Sequence, residues 1–108
     1  MKTIKILFAM ALCMPLSAIA AGNAEAGAKK ADTCKACHGE GGAKPIQNDY
    51  PVLAGQQQDY LAAALTQYKT GKRKNAVMAG FAAALTKQDI QDLSTYFASQ
   101  PSVLKKKY

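Results

Sequence analysis

Cys34-Lys35-Ala36-Cys37-His38 places two thiols three residues apart, with an imidazole directly after the second. That spacing suits covalent haem attachment. The two sulfurs can form thioethers with vinyl groups on one porphyrin edge, and the adjacent histidine can reach the iron from the same side. Two other chemistries use a C-x-x-C pair. A dithiol redox centre attacks a disulfide through a thiolate, and a structural zinc site takes four protein ligands. Cys13 is the only other cysteine and His38 the only histidine, so zinc would have to recruit carboxylates.

The N-terminus narrows the ligand inventory. Lys2 and Lys5 precede an apolar run from Ile6 to Leu12, followed by Pro15 and Ser17-Ala18-Ile19-Ala20. A basic start, a short apolar centre and an A-x-A ending are the features of a cleaved secretory signal. The apolar run is short against the ~20 residues that span a bilayer. A lipid-modified Cys13 is the other alternative, and Met10-Ala11-Leu12 lacks the small residues such processing prefers. We therefore expect cleavage after Ala20, a leader of residues 1–20, and a domain of residues 21–108 exported to the periplasm without stable membrane insertion. Removing the leader takes away Cys13, Met1, Met10 and Met14, and leaves two cysteines, one histidine and one methionine, Met78. If the iron has a sulfur ligand, each ligand then has one candidate. In an oxidising compartment a free C-x-x-C would tend to close into a disulfide.

So short a domain buries a modest core and gains from a covalent or metal staple. Without the two leader lysines, twelve Lys and Arg face seven Asp and Glu, a net charge of +5. An exported chain with no nucleic-acid motif points instead to an acidic protein partner or an anionic membrane surface.

The elements that must position Cys34, Cys37 and His38 are helical. Asn23 is a plausible N-cap with Glu25 in the first turn, opening a small-residue helix over Ala24 to Ala36 in which Gly27 would allow a second helix to approach closely. Gly39, Gly41 and Gly42 end it. Asn48 to Gly55 reads as a loop. Leu61 and Leu65, with Tyr60, Ala64 and Tyr68, give helical periodicity from Gln56 to Tyr68, and Gly71 is placed for a left-handed C-cap. Lys72-Arg73-Lys74-Asn75 is a basic loop before Met78, and Phe81 to Leu85 is expected to form a short turn. Thr86 and Asp89 resemble a capping box for a helix carrying Ile90, Leu93 and Phe97 and ending before Pro101. A frayed tail is expected at Lys105 to Lys107. No segment alternates like a strand, so the expected fold is a single all-α domain.

Taken together, Cys34-Lys35-Ala36-Cys37-His38-Gly39, Pro51-Val52-Leu53-Ala54-Gly55-Gln56, Tyr68-Lys69-Thr70-Gly71-Lys72-Arg73 leading to Met78, and Asp89 through Phe97 resemble a class I c-type cytochrome. The match is to the small soluble monohaem bacterial type, and to one half of the dihaem bacterial cytochromes, over residues 22–100. The resemblance implies three to five helices wrapped around one covalent haem c. It also implies thioethers at Cys34 and Cys37, His38 as proximal and Met78 as distal iron ligand, and a first helix crossing the last with Gly27 against the Tyr96–Phe97 region. Pro51 resembles the proline whose carbonyl accepts the proximal histidine's Nδ1–H, and Leu53 the residue that packs on the haem. Ala31 departs from the pattern, standing where many relatives carry an aromatic. Tyr68 and Arg73 are candidates to bond a haem propionate, and Asn75 to reach the methionine side.

The function this implies is a periplasmic one-electron carrier. A His/Met pair raises the reduction potential and leaves no open position for oxygen activation. Lys35, Lys69, Lys72, Arg73 and Lys74 would form a basic rim that steers acidic redox partners. A quinol-oxidising complex, a terminal oxidase or a periplasmic dehydrogenase are the expected classes, with the carrier a monomer or weak dimer. The competing readings are a dithiol–disulfide oxidoreductase using Cys34 and Cys37, and a haem-based sensor or peroxidase-like protein with a vacant axial site.

Overall fold

The computed structural model describes Thr3 and residues 22–103. The expected leader (Thr3 apart), its Cys13, and the tail from Lys105 to Lys107 lie outside the described residues. Five α-helices follow: α1 (Ala24–Lys30), α2 (Lys35–His38), α3 (Gln58–Thr70), α4 (Ala76–Ala83) and α5 (Lys87–Ser99). No strand occurs among the described residues. The architecture is all-α, with α1 and α3 both packed on α5 and α4 packed on α3.

Local signals account for most element ends. The Asn23 side chain accepts from the Ala26 amide at 3.0 Å and starts α1. Gly71 ends α3 in the left-handed conformation. Thr86 and Asp89 form the full capping box of α5, with Asp89 N–H donating to Thr86 Oγ1 at 3.0 Å and Thr86 N–H to Asp89 Oδ2 at 2.9 Å. Two expectations need correction. The helix expected over Ala24 to Ala36 is not continuous: a 3₁₀ turn at Ala31–Thr33 separates α1 from α2. Asp32 and Thr33 in that turn are weak helix formers, whose side chains compete for backbone hydrogen bonds. The short turn expected at Phe81 to Leu85 is instead the longer helix α4, which starts five residues earlier behind Asn75.

The core consists of Ala31, Leu61, Leu93 and Phe97, with Cys34, Leu53, Leu65, Leu85 and Tyr96 packed around it. It is reached by a close crossing of α1 over α5. A Cβ on Gly27 would stand 2.1 Å from the Asp92 carbonyl oxygen and 2.7 Å from Tyr96 Cβ, so only glycine lets the two backbones meet. The crossing meets Tyr96, as expected, and extends one turn earlier on α5 to the backbone of Asp92. Ala31 lies 5% exposed within the core, and the crossing forms with no aromatic at that position.

A buried polar cluster fastens the crossing. Asp92 is 3% exposed and accepts from Lys30 Nζ at 2.6 Å, the Asn23 amide at 2.8 Å and Gln88 Nε2 at 2.9 Å. Lys30 also pairs with Asp89 at 2.7 Å. The Lys30 ammonium first, then the Asn23 and Gln88 N–H groups, hold the Asp92 carboxyl at about 2, below its ordinary 3.8.

Two outcomes follow from this crossing. Helix propensity would favour Gly27→Ala by ~1 kcal/mol, but the added carbon must separate two packed backbones. With overpacking costing roughly 1–3 kcal/mol or more, we expect a net loss of about 2 kcal/mol, read as a lower denaturant midpoint; a midpoint at or above the parent's would contradict the crossing. For Asp92, the folded state binds its proton less tightly than the unfolded chain. Its contribution is therefore complete above the ordinary 3.8 and disappears as pH falls towards about 2. Acid unfolding of Asp92→Asn should accordingly show a shallower pH dependence across that window, from a lower stability at neutral pH.

Candidate functional site

The Cys37 and His38 amides both donate to the Cys34 carbonyl, at 3.2 and 3.0 Å. Cys34, Cys37 and His38 thus occupy one helical turn at i, i+3 and i+4, the spacing that puts side chains on a common face. Both thiols are half-buried and unpaired, and the His38 ring is 7% exposed. His38 Nδ1 lies 2.9 Å from the Pro51 carbonyl oxygen. A carbonyl can only accept, so Nδ1 carries the proton, and the neutral ring then has its lone pair on Nε2. That is the tautomer and orientation in which a second partner fixes a metal-binding imidazole. The Tyr50 ring stands 6.3 Å from that of His38, tilted by 44°.

The loop that supplies Pro51 is itself held by backbone bonds. Leu53 and Ala54 amides donate to the Gly42 carbonyl at 2.8 and 3.1 Å, Gly55 to Phe97 at 2.9 Å, and Ile46 to Cys37 at 3.0 Å. Gly42 has φ +72° and sits so close to Leu53 and Phe97 that a Cβ would come within 2.7 Å of Leu53. Burial pushes the Cys34 thiol above its ordinary range, the opposite of what an attacking thiolate requires. Among the described residues no three His, Cys, Asp or Glu side chains gather as a metal site.

The distal candidates lie on α3, α4 and their link. Met78 is half-buried on α4. Asn75 does meet the methionine side, though as a cap: its Oδ1 accepts from the Val77 and Met78 amides, both at 3.1 Å. Arg73 lies 5.2 Å from the Tyr68 ring centroid and 6.0 Å from that of Tyr60. Its Nη1 and Nη2 both point at the Tyr60 hydroxyl, at 3.4 Å. Tyr60 is an additional partner of Arg73, carried to the same face as Tyr68 by the Tyr60-Ala64-Tyr68 stripe. Lys69 Nζ reaches across to α4, donating to the Ala83 carbonyl at 3.3 Å and to the Leu85 carbonyl. The proximal turn and α4 are linked through α3: Leu61 on α3 joins Cys34 in the core, and α4 packs on α3.

The donor set suits a haem: two unpaired thiols on one turn, a buried imidazole with its tautomer fixed, a thioether, and half-buried apolar Leu53 and Leu65 nearby in the fold. The family model described as cytochrome c matches residues 24–101. The chain belongs to the cytochrome c family. It is 43% identical over 98 residues to cytochrome c4 of Pseudomonas aeruginosa, covering 89% of this chain and 48% of that protein. It is 41% identical over 83 residues to cytochrome c-554(548) of Halomonas halodenitrificans, covering 74% of this chain and 99% of the relative. The crystal structure of reduced cytochrome c4 from Pseudomonas stutzeri superposes with a TM-score of 0.69 at 38% identity, over 75% of this chain and 47% of that one. The chain therefore spans about half the length of its cytochrome c4 relatives. As a cytochrome c domain it binds one haem c covalently, with Cys34 and Cys37 as the candidate attachment pair.

For this cytochrome, the cap on α4 has a measurable consequence. Asn75→Ala leaves two amides of the Met78-bearing helix without their acceptor and should cost about 1 kcal/mol, whereas Asn75→Asp should restore most of it. Equal stability of Asn75→Ala and the parent in denaturant titrations would show that the cap contributes nothing.

Proposed function

We propose that this cytochrome is a periplasmic one-electron carrier in which His38 and Met78 hold the haem iron from its two faces. The observation that carries the reading is the 2.9 Å bond from His38 Nδ1–H to the Pro51 carbonyl. It commits one ring nitrogen, leaves the other as a neutral donor, and does so on a buried ring beside both cysteines. Met78 is the sole thioether in residues 21–108, and it stands half-buried on a capped helix. The basic, apolar leader at residues 1–20 supports export.

Bound haem c supplies a one-electron ferric–ferrous couple. Around it, Met78 would donate weakly and favour the ferrous state, raising the potential. Pro51 would hold the His38 ring in place and strengthen its donation. With both His38 and Met78 holding the iron, the chain would offer no open position to oxygen or peroxide and would rearrange little when an electron moves. The remaining task of the fold is burial and presentation of the porphyrin edge to partners.

Partner steering is supported by the cations of the α3–α4 link, though not by every residue first placed in the rim. Lys35 is paired with Asp32 at 2.5 Å, which offsets its charge. Lys69 and Arg73 bond to carbonyls and tyrosines, neutral groups that leave their charges in place. Lys72 and Lys74 are exposed. This end of the molecule suits small, transient complexes with acidic redox proteins. A dithiol oxidoreductase is disfavoured by the raised Cys34 thiol.

Absorption spectroscopy of the exported protein tests the reading. We expect sharp low-spin visible bands on reduction and, in the oxidised form, a weak near-infrared sulfur-to-iron band. That band should disappear in Met78→Ala while the haem stays covalently bound. A colourless protein, or a ferrous parent that binds carbon monoxide readily, would refute the His/Met carrier.

A further inference from the structure

The helix that carries Met78 is short. α4 is eight residues long, Ala76–Ala83, and a helix of two turns is marginal by itself in water. Its only buried residue is Ala82, at 0% exposure, while Val77 and Phe81 are 62% and 51% exposed. A side chain added at Gly80 would meet nothing within 4 Å. Its main packing partner within the protein is α3.

The polar ties divide into two kinds. Asn75 caps the N-terminal end, but it precedes Ala76 directly and would travel with the helix. The C-terminal end is different. Helix ends leave carbonyls without amide partners and carry the negative end of the dipole. Here the Lys69 ammonium donates to the Ala83 carbonyl at 3.3 Å and to the Leu85 carbonyl, 14 and 16 residues along the chain. Lys69 belongs to the last turn of α3, which is anchored through Leu61 in the core. Among the described residues, its ammonium makes the hydrogen bonds that join α3 to the 76–85 segment.

We propose that Lys69 is a positioning residue: it locks the Met78-bearing helix to α3, and the local opening that would let Met78 leave its place is governed by this lock. The proposal rests on the assignment of Met78 as distal ligand for its effect on the iron, but not for its effect on the helix. It also gives Lys69 a role beyond the basic rim. A local opening of this kind needs only the contacts of α4 to break, so its free energy lies below that of global unfolding.

The test uses the haem-loaded, exported protein with Lys69→Leu, which keeps an aliphatic side chain and adds no sulfur, and Lys69→Arg, which keeps charge and donors. Hydrogen exchange of the Ala79 to Ala83 amides reads the helix. In Lys69→Leu these amides should exchange roughly two- to fivefold faster, with the α5 amides unchanged, and Lys69→Arg should bring them back towards the parent rate. Unaltered α4 exchange in Lys69→Leu overturns the lock. The near-infrared sulfur-to-iron band reads the ligand. In Lys69→Leu it should be lost at a lower urea concentration than in the parent, while the far-UV unfolding transition stays in place. If α4 exchange accelerates but the band's midpoint does not move, Lys69 holds the helix without governing the ligand, and that half of the proposal fails. A parent protein with no such band would refute Met78 ligation, and the exchange measurement would still decide the lock.

Discussion

At Gly27 the first helix presents a hydrogen where every other residue would present a carbon, and the last helix occupies that space with the backbone of Asp92. Much of the proximal architecture is referenced to this contact. The chain leaves the crossing through Ala31, which is already in the core, and reaches Cys34 three residues later. The position of the Cys34–His38 turn over α5 is thus set by how closely α1 can lie. The loop that supplies the Pro51 carbonyl is tied to the same helix, because the Gly55 amide donates to Phe97. The imidazole and its acceptor arrive from different stretches of chain, and α5 is the common frame that brings them to 2.9 Å.

Features that depend on neighbours in sequence were legible from the sequence. The Thr86–Asp89 capping box, the Asn23 cap and the Gly71 terminus are each decided within one turn. The Cys34–His38 motif was legible because its chemistry needs that local spacing. The break at Ala31–Thr33 and the extent of α4 were not, for a shared reason. Both segments are rich in small residues and carry no apolar period, so periodicity had nothing to register. Asn75 is the one local signal for the start of α4, because its side chain can cap a helix beginning at Ala76. Asp92 was hidden for a different reason. On α5 it stands off the Ile90-Leu93-Phe97 stripe and looks like part of a solvated face. It is buried because the glycine crossing brings the start of α1 and Lys30 over it, a consequence of tertiary approach that no local window contains.

The cations fall into two groups that the sequence alone does not separate. Lys30 and Lys35 face carboxylates, and Lys30 is shared between two of them. Their charges are offset locally by those carboxylates. Lys69 and Arg73 instead face carbonyl oxygens, a phenol and aromatic rings. These neutral partners fix the side chains in place without cancelling their charge. Ordered cations pay less side-chain entropy on meeting an acidic partner than free ones do. The positive character of the α3–α4 end is therefore better organised than a count of basic residues suggests.

The two sides of the site are held by unequal means. Backbone hydrogen bonds and a filled core secure the His38 turn and the Pro51 loop, whereas α4 is tied through its packing on α3, the Asn75 cap and the Lys69 ammonium. Under the His/Met reading, ligation and helix order support each other, because anything that binds only the ordered helix stabilises it by mass action. An iron–sulfur bond to Met78 would hold α4 closed, and an α4 already closed would strengthen the bond by the same free energy. The order of α4 and ligation at Met78 are then two ends of one equilibrium.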